Sequence, residues 1–189
     1  MNKITQQHIK EHFDLFESIK TLDEKIVNAA LLMIDALKNG KSIFWCGNGG
    51  SASDSEHLAG ELIGRFVGNR KALKSLSLSA DSAVITCIAN DFGYDEIFSR
   101  QIEGLGQQGD VLVAISTSGK SKNVLNACLK AKSIKLKTIG FLGKGGGEVG
   151  DIVDNPIIIP SYSTARIQEM HILIGHILCD LIEEGLNLK

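Results

Sequence analysis

Short apolar runs alternate with helical stretches from Lys41 to the C-terminus, and this alternation constrains the fold more than any other feature of the chain. Runs typical of buried strands occupy 41–46, 73–78, 111–116, 138–142 and 157–159, and helical patterns occupy 52–67, 82–89, 95–105, 122–134 and 165–184. Strands that alternate with helices are typical of a parallel sheet that carries helices on both faces. We therefore predict an α/β fold built on a single doubly wound parallel sheet.

Two further helices are predicted before the first strand. Apolar residues at helical spacing between Ile4 and Ile19 indicate one helix, and residues 23–38 indicate a second, which Gly40 ends. No low-complexity linker divides the remainder of the chain. We therefore expect a helical N-terminal arm over residues 1–40 and one α/β domain over residues 41–189.

Charge and composition narrow the classes of function. The 189 residues include 20 Lys and Arg against 22 Asp and Glu, without a long basic block, which argues against nucleic acid or an anionic membrane as the main partner. No apolar run approaches the roughly 20 residues that cross a bilayer, and the polar N-terminus does not resemble a signal peptide. We expect a cytoplasmic protein. The four cysteines form no CxxC pair, so we expect small buried thiols rather than a zinc knuckle or disulfides.

Several of the 20 glycines form clusters that imitate nucleotide-binding motifs. Residues 47–52 follow a strand and fit a relaxed GxGxxA pattern, but the acidic ribose ligand expected about 20 residues later is missing. Residues 104–109 match GxGxxG but precede a strand, so we interpret them as a turn. The sequence Gly119-Lys-Ser121 ends like a P-loop, yet Ala114 stands where its first glycine is required. We therefore predict no nucleotide cofactor.

The hydroxyl-rich segment 116–121, Ser-Thr-Ser-Gly-Lys-Ser, is more informative. It leaves the end of a buried strand and enters a helix, which is where α/β sheets bind ligands. Its hydroxyl and backbone N–H groups would surround the positive end of a helix dipole, an arrangement that suits a phosphate monoester. The alternatives are a helix-capping loop that binds nothing and, for Lys120, a solvated surface charge.

Two helices carry side chains suited to acid–base or metal chemistry. His57 and Glu61 lie four residues apart on one helix face, within reach of a single metal ion or reacting group. The last helix places Gln168, His171 and His176 among apolar residues, where an imidazole needs a partner. The alternatives are an ordinary surface pair for His57 and Glu61 and core or interface histidines in the last helix.

A combination of five segments favours one of these interpretations. The segments are Cys46-Gly-Asn-Gly-Gly-Ser51, Asn90-Asp-Phe-Gly93, Phe98-Ser-Arg-Gln101, Ile115-Ser-Thr-Ser-Gly119 and Ala165-Arg-Ile-Gln-Glu-Met-His171. In this order, and over nearly the whole chain, they resemble the sedoheptulose-7-phosphate (phosphoheptose) isomerases of the sugar isomerase (SIS) domain family. The hydroxyl-rich loop alone would mark only the wider SIS superfamily.

The resemblance implies roles for individual residues. Contacts with the sugar phosphate are implied for Asn48, Gly49, Gly50, Ser51, Arg65, Asn90, Asp91, Ser116, Thr117, Ser118, Ser121 and Gln168. A zinc site is implied for His57, Glu61, Gln168 and His176, and Glu61 and His176 also match the proposed acid/base pair. Arg166 resembles a supporting positive charge. Gln168 and His176 lie about 12 Å apart along one helix, so either they come from different subunits or Gln168 serves the substrate.

The family resemblance also implies an assembly and a reaction. The family is a homotetramer with active sites at subunit interfaces, so the N-terminal arm is expected to pack on partner subunits as well as on the domain. The implied reaction converts D-sedoheptulose 7-phosphate to D-glycero-D-manno-heptose 7-phosphate through an enediol(ate), the first step of bacterial heptose biosynthesis for lipopolysaccharide or capsule.

Two other functions are compatible with parts of the sequence. One is a non-catalytic SIS scaffold or sugar-phosphate sensor of the replication-initiator-associated type; such proteins share the loops but generally lack the glutamate and the second histidine. The other is a different sugar-phosphate aldose–ketose isomerase, although those of arabinose 5-phosphate type usually carry extra regulatory domains. The presence of Glu61 and His176 favours the phosphoheptose isomerase.

Overall fold

A computed structural model describes residues 1–189, and its elements follow the predicted order. The helices are α1 (Asn2–Ile19), α2 (Asp23–Lys38), α3 (Gly50–Ile63), α4 (Ser82–Phe92), α5 (Ser99–Leu105), α6 (Lys122–Ser133), α7 (Gly147–Ile152) and α8 (Thr164–Gly185). The strands are β1 (Ile43–Gly47), β2 (Ser75–Ser77), β3 (Val111–Ser116), β4 (Lys137–Leu142) and β5 (Asn155–Ile158). Helix α7 was not predicted, because its six residues follow a glycine cluster that we interpreted only as a turn.

The five strands form one parallel sheet in the order β2-β1-β3-β4-β5, which confirms the doubly wound architecture. From β1 the chain adds β2 on one side and then crosses to add β3 on the other, so the strand order reverses between β1 and β3. Gly47 pairs in register with Ile115, and the loops that follow these two strands therefore start side by side. At such a reversal the connecting loops diverge and leave a crevice in which α/β proteins bind ligands.

Each face of the sheet has its own apolar core. Successive side chains of a strand point to opposite faces, so Ile43 and Trp45 pack in the core that includes α2, α3 and α8. Phe44 and Cys46 pack in the other core, with α5 and α6. None of the eight helices combines the length and the apolar character needed to cross a membrane.

The expectation for the cysteines is correct for three of the four. Cys46, Cys128 and Cys179 are buried, and all four thiols are free. Cys87 is exposed, which corrects the prediction, because α4 lies against the domain without burying any of its residues.

Helices α3 and α8 pack against each other at a point where α8 has no side chain. A Cβ atom added to Gly175 would lie 2.5 Å from both Cδ atoms of the fully buried Leu58. One end of the same pair is set by Gly50, whose Cα faces the Gln168 amide so closely that any side chain there would overlap it. Residues 50 to 58 of α3 and residues 168 to 175 of α8 therefore run side by side in the same direction, with Gly50 opposite Gln168 and Leu58 opposite Gly175.

Gly175→Ala tests this close packing. We expect the free energy of unfolding to fall by about 1–3 kcal/mol, because the added methyl overpacks against Leu58. Gly104→Ala on α5 is the matched control: a Cβ there meets nothing within 4 Å, so the substitution should leave stability unchanged or raise it slightly. Denaturant unfolding measures both, and an equal effect in the two variants would contradict close contact between α3 and α8.

Candidate active site

Amide hydrogen bonds join the loops that follow β1 and β3. Asn48 Nδ2 donates to Asn123 Oδ1 over 2.9 Å, and Asn123 Nδ2 donates back to Asn48 Oδ1, also over 2.9 Å. The Tyr94 hydroxyl donates to the same Asn48 oxygen over 3.0 Å. Sequence reasoning missed Asn123 and Tyr94, because one asparagine near a helix start and one exposed tyrosine form no pattern. Together these contacts hold the first glycine loop beside the start of α6.

The hydroxyl loop, residues 116–121, has the compact shape expected for an anion site. Ser116 Oγ lies 3.2 Å from Ser121 Oγ and accepts the N–H of Gly119 over 3.1 Å. Thr117 and Ser118 are half-buried, whereas Lys120 is exposed. The loop leads directly into the 12-residue helix α6, so its hydroxyl groups gather at the positive end of a helix dipole. This is the arrangement predicted for a phosphate ester.

The third glycine cluster supports the hydroxyl loop from behind. Gly119 has a φ of +62°, and a Cβ on it would overlap the carbonyl of Gly146. In the other direction, a Cβ on Gly147 would lie 2.7 Å from the Gly119 carbonyl carbon. The Val149 N–H also donates to the Gly119 oxygen over 3.0 Å. Residues 146 and 147 of the cluster 143–147, to which no role beyond a turn was assigned, therefore pack backbone to backbone against the hydroxyl loop.

His57, Glu61 and His176 form a triad between α3 and α8. His57 Nε2 lies 3.0 Å from His176 Nε2 and 3.2 Å from Glu61 Oε1, and one donor atom from each residue lies within 4.8 Å of the others. The Phe66 ring stacks on His176 with ring centroids 5.6 Å apart and an interplanar angle of 27°. The triad is partly exposed and so remains accessible to a ligand. His176 thus lies beside Glu61, which distinguishes this group from an ordinary surface pair.

The donor atoms of the triad fit a zinc ion. Two imidazole nitrogens and one carboxylate oxygen are usual ligands for catalytic zinc, which keeps a fourth position open. Tetrahedral zinc with bonds of about 2.1 Å separates its ligand atoms by about 3.4 Å. The observed 3.0 and 3.2 Å are close to this spacing, so small side-chain movements would complete the arrangement.

Gln168 does not join the triad within one chain. Its amide lies against Gly50, seven residues before His57, which is about 10 Å along α3. Ser51, next to Gly50, is buried and donates its N–H to the Asn48 carbonyl over 3.1 Å. Gln168 therefore lies at the glycine-loop end of the contact between α3 and α8, and the triad lies about two helical turns further along.

Asp54 lies between these two ends, and sequence reasoning did not single it out. It is one helical turn from both Gly50 and His57 and so shares their face of α3. Its Oδ2 is buried without a hydrogen-bond partner. Burial raises the pKa of the Asp54 carboxyl to about 6, although the nearby His57 opposes this shift.

The remaining predicted residues lie on other parts of the structure. Asn90 and Asp91 are exposed at the end of α4, where Asn90 Nδ2 donates to Asp91 Oδ1 over 2.8 Å. Arg65 is exposed just after α3. Arg166 instead ties α8 to α1, because it donates to the His8 carbonyl over 2.6 Å and pairs with Glu169.

His171 is a core histidine, which was one of the alternatives given above for the histidines of the last helix. It is fully buried, and its Nε2–H donates to the Leu142 carbonyl over 3.1 Å. Burial lowers the pKa of His171 to about 4, although the bond to Leu142 opposes the shift, so the ring is neutral at neutral pH. His171 therefore supplies no charge to the candidate site.

Gly119→Ala tests the backbone support of the hydroxyl loop. We expect the affinity for a phosphate monoester to fall at least about tenfold, because the new methyl pushes the loop away from Gly146. Gly145→Ala is the control: Gly145 also has positive φ, at +83°, but a Cβ there meets nothing within 4 Å. Calorimetric titration with a sugar phosphate measures both, and equal losses of affinity would indicate backbone strain alone.

Known proteins resemble this chain in sequence and in fold. The family model described as SIS domain matches residues 7–143. The phosphoheptose isomerase of Nitratiruptor sp. is 52% identical over 181 residues, which are 95% of this chain and 97% of that protein. The solved phosphoheptose isomerase of Neisseria gonorrhoeae superimposes with a TM-score of 0.91 at 38% identity and covers 97% of this chain and 98% of its own.

A second solved phosphoheptose isomerase, from Francisella tularensis, superimposes with a TM-score of 0.93 at 33% identity. The match covers 96% of this chain and 97% of that one. Similarity therefore extends along both chains from end to end, across the N-terminal helices, the loops and α8. The chain belongs to the phosphoheptose isomerases of the SIS domain family.

Proposed function

We propose that this protein isomerises D-sedoheptulose 7-phosphate to D-glycero-D-manno-heptose 7-phosphate, the first step of bacterial heptose biosynthesis. The observation that carries the proposal is the contact of Glu61 and His176 with His57, about two turns of α3 beyond the glycine loop that Asn48 and Asn123 join to the start of α6. This arrangement separates a place for the phosphate from a place for the reacting carbons. We expect the enzyme to act in the cytoplasm.

In this proposal, different parts of the site bind the phosphate and the sugar. The phosphate is held by hydroxyl groups and backbone N–H groups at the positive end of α6, from Ser116, Thr117, Ser118 and Ser121. The sugar contacts are assigned to Asn48, Gly49, Gly50, Ser51, Asn90, Asp91 and Gln168, and Arg65 supports the negative charge of the substrate. The glycines leave room for the sugar to approach the backbone.

Proton transfer is assigned to Glu61 and His176. The Glu61 carboxylate removes a proton from C1 of the ketose, which leaves an enediolate, and returns a proton to C2. The His176 imidazole moves the hydroxyl proton from O1 to O2, so each proton removed is replaced and no oxidant is needed. Contact of both groups with one sugar end is what the short distances within the triad would permit.

We further propose that His57, Glu61 and His176 hold one zinc ion. When bound, zinc would supply Lewis-acid stabilisation of the carbonyl and enediolate oxygens. One Glu61 oxygen suffices as a ligand, which leaves the other for the proton; in the same way His176 would bind the ion through Nε2, which faces His57, and keep Nδ1 for the proton. Gln168 is assigned to the substrate within its own subunit, because its amide lies beside Gly50; as a fourth ligand it would come from a partner subunit.

A homotetramer with active sites at subunit interfaces is the assembly we propose. Phe13 and Leu31, on the N-terminal helices, leave 64% and 57% of their surface exposed. A groove of about 310 Å³ between these helices and α8 is lined mainly by apolar residues, including Phe16 and Leu173. A second groove of about 300 Å³ contains His176 and shares Leu173 with the first. A subunit seated on the arm would therefore lie next to the triad.

Phe16→Glu tests this assembly, because it places a charge in the apolar groove. We expect light scattering coupled to gel filtration to show a tetramer for the wild type and smaller species for the variant, with a parallel loss of turnover. Leu129→Glu is the control, since Leu129 on α6 is 50% exposed and lines neither groove. A monomeric wild type, or an intact Phe16→Glu tetramer, would contradict the proposed interface.

Glu61→Gln and His176→Gln test the reaction. Each should lower turnover of sedoheptulose 7-phosphate by at least about 10²-fold, because general acid–base catalysis contributes that much, while phosphate-ester binding persists. Glu56→Gln, on the exposed part of α3, is the matched control and should retain wild-type turnover.

NMR detection of the aldoheptose, with and without added zinc, measures turnover in each protein. Activity in both variants would show that the acid/base assignment is wrong. Binding without turnover by the wild type, with zinc present or absent, would instead support the sugar-phosphate sensor.

A further inference from the structure

A buried carboxylate lies seven residues after His176 on α8. Glu183 has no exposed side-chain surface, and its two oxygens accept the N–H groups of residues 66–68 over 3.1, 3.1 and 2.8 Å. It also accepts Arg70 Nε over 2.9 Å. Neither the proton transfers nor the proposed zinc site uses this residue. Its partners are all in the segment that follows α3.

Arg70 connects this carboxylate to the end of α3. Its guanidinium donates to the Leu62 carbonyl over 2.8 Å and to the Glu61 carbonyl over 2.9 Å. The Arg70 side chain is only 2% exposed. These carbonyls belong to the last turn of α3, whose C-terminal oxygens have no partner within the helix. The turn that carries the Glu61 side chain is thereby fixed to α8 through Arg70 and Glu183.

The same carboxylate shapes the loop over the triad. The three N–H bonds hold residues 66–68 in a curve around Glu183, and Gly68 lies so close to the Leu188 carbonyl that a side chain would overlap it. The loop places the Phe66 ring on His176. One group thus determines how the segment meets both α3 and α8.

Glu183 is ionised at neutral pH although it is buried. Burial opposes its charge, but the hydrogen bonds from Gly68, Phe66, Val67 and Arg70 outweigh that effect and lower the pKa of the carboxyl. Its contribution to stability is therefore complete above the unfolded pKa of about 4.3 and is lost as the pH falls through the lower folded value. At pH 7 to 8 the negative charge and its four donors are all in place.

We propose that Glu183 is a positioning residue for the triad: through Arg70 and residues 66–68, it holds Phe66 on His176 and fixes the end of α3 that carries Glu61. The inference rests on the proposed function for its kinetic consequence, but not for the geometry. A glutamine in its place would direct an NH₂ group towards N–H donors, so one side of the carboxylate site would lose its hydrogen bonds. The loop would then leave His176, and the spacing of the triad would relax.

Glu183→Gln tests the proposal, with Asp154→Asn as the matched control. Asp154 is also a carboxylate with a lowered pKa, and it accepts the Thr138 N–H and hydroxyl over 2.9 Å each, but it lies beside β4 and β5, away from the triad. Both variants should lose stability at pH 7.5, because each removes a charged hydrogen-bond acceptor. Only Glu183→Gln should change the triad.

Three measurements separate positioning from stability. In the metal-free protein, the stacked Phe66 ring is expected to shift the His176 ring-proton NMR signals upfield; this shift should disappear in Glu183→Gln and persist in Asp154→Asn. The affinity for Zn²⁺ alone, measured by chelator competition, should fall at least about tenfold only in Glu183→Gln, as expected for groups that orient metal ligands. With sedoheptulose 7-phosphate, kcat should fall at least about tenfold while KM changes less than about threefold, because the hydroxyl loop is untouched.

The outcomes distinguish this inference from the proposed function. If the wild type has no turnover, the proposed function fails, and the NMR signals and Zn²⁺ affinity still decide the role of Glu183. If Glu183→Gln keeps the His176 shift, or if both variants change Zn²⁺ affinity equally, the positioning role is wrong. Should Glu183→Gln fail to fold, Arg70→Lys keeps a cation beside Glu183 but loses the forked donors to Glu61 and Leu62, and the same tenfold loss of Zn²⁺ affinity is expected. An unchanged affinity in Arg70→Lys would overturn the proposal.

Discussion

The close packing of α3 on α8 is the contact on which the candidate site depends. Gly175 lets the buried Leu58 side chain sit against the α8 backbone, and this contact sets how the two helices are aligned along their length. The alignment brings Gly50 to Gln168 at one end and His57 to His176 two turns later. The two chemically different ends of the candidate site therefore follow from the alignment of one helix pair.

Sheet topology positions the loops at the glycine-loop end of the site. The reversal of strand order between β1 and β3 places a glycine loop and a hydroxyl loop side by side. The reciprocal bonds of Asn48 and Asn123 then keep them together. The proposed phosphate-binding end therefore depends on strands and turns, whereas the proposed reacting end depends on helix packing. The two ends are joined where β1 runs through the glycine loop into α3, and again where Gln168 of α8 lies against Gly50.

Sequence patterns predicted the parts of this site that depend on local order. Strand and helix alternation predicted the sheet, and the i, i+4 spacing of His57 and Glu61 placed them on one face. The partnership with His176, 119 residues away, depends on tertiary packing, so only the family resemblance indicated it. Glu183 gave no signal because three of its four partners are backbone N–H groups, which every residue except proline has. The link from Arg166 to α1 and the exposure of Cys87 likewise depend on how helices that are distant in sequence pack together.

The backbone contact between Gly119 and residues 146–147 has a consequence for how such proteins can diverge. Neither segment can gain a side chain unless the other moves, so a change in the hydroxyl loop is constrained by a turn about 27 residues further along the chain. An engineer who transplants the hydroxyl loop into another α/β sheet would have to carry the second glycine turn with it. At this end of the sheet, the part that must be transferred as a whole is the pair of loops in backbone contact, not the hydroxyl loop alone.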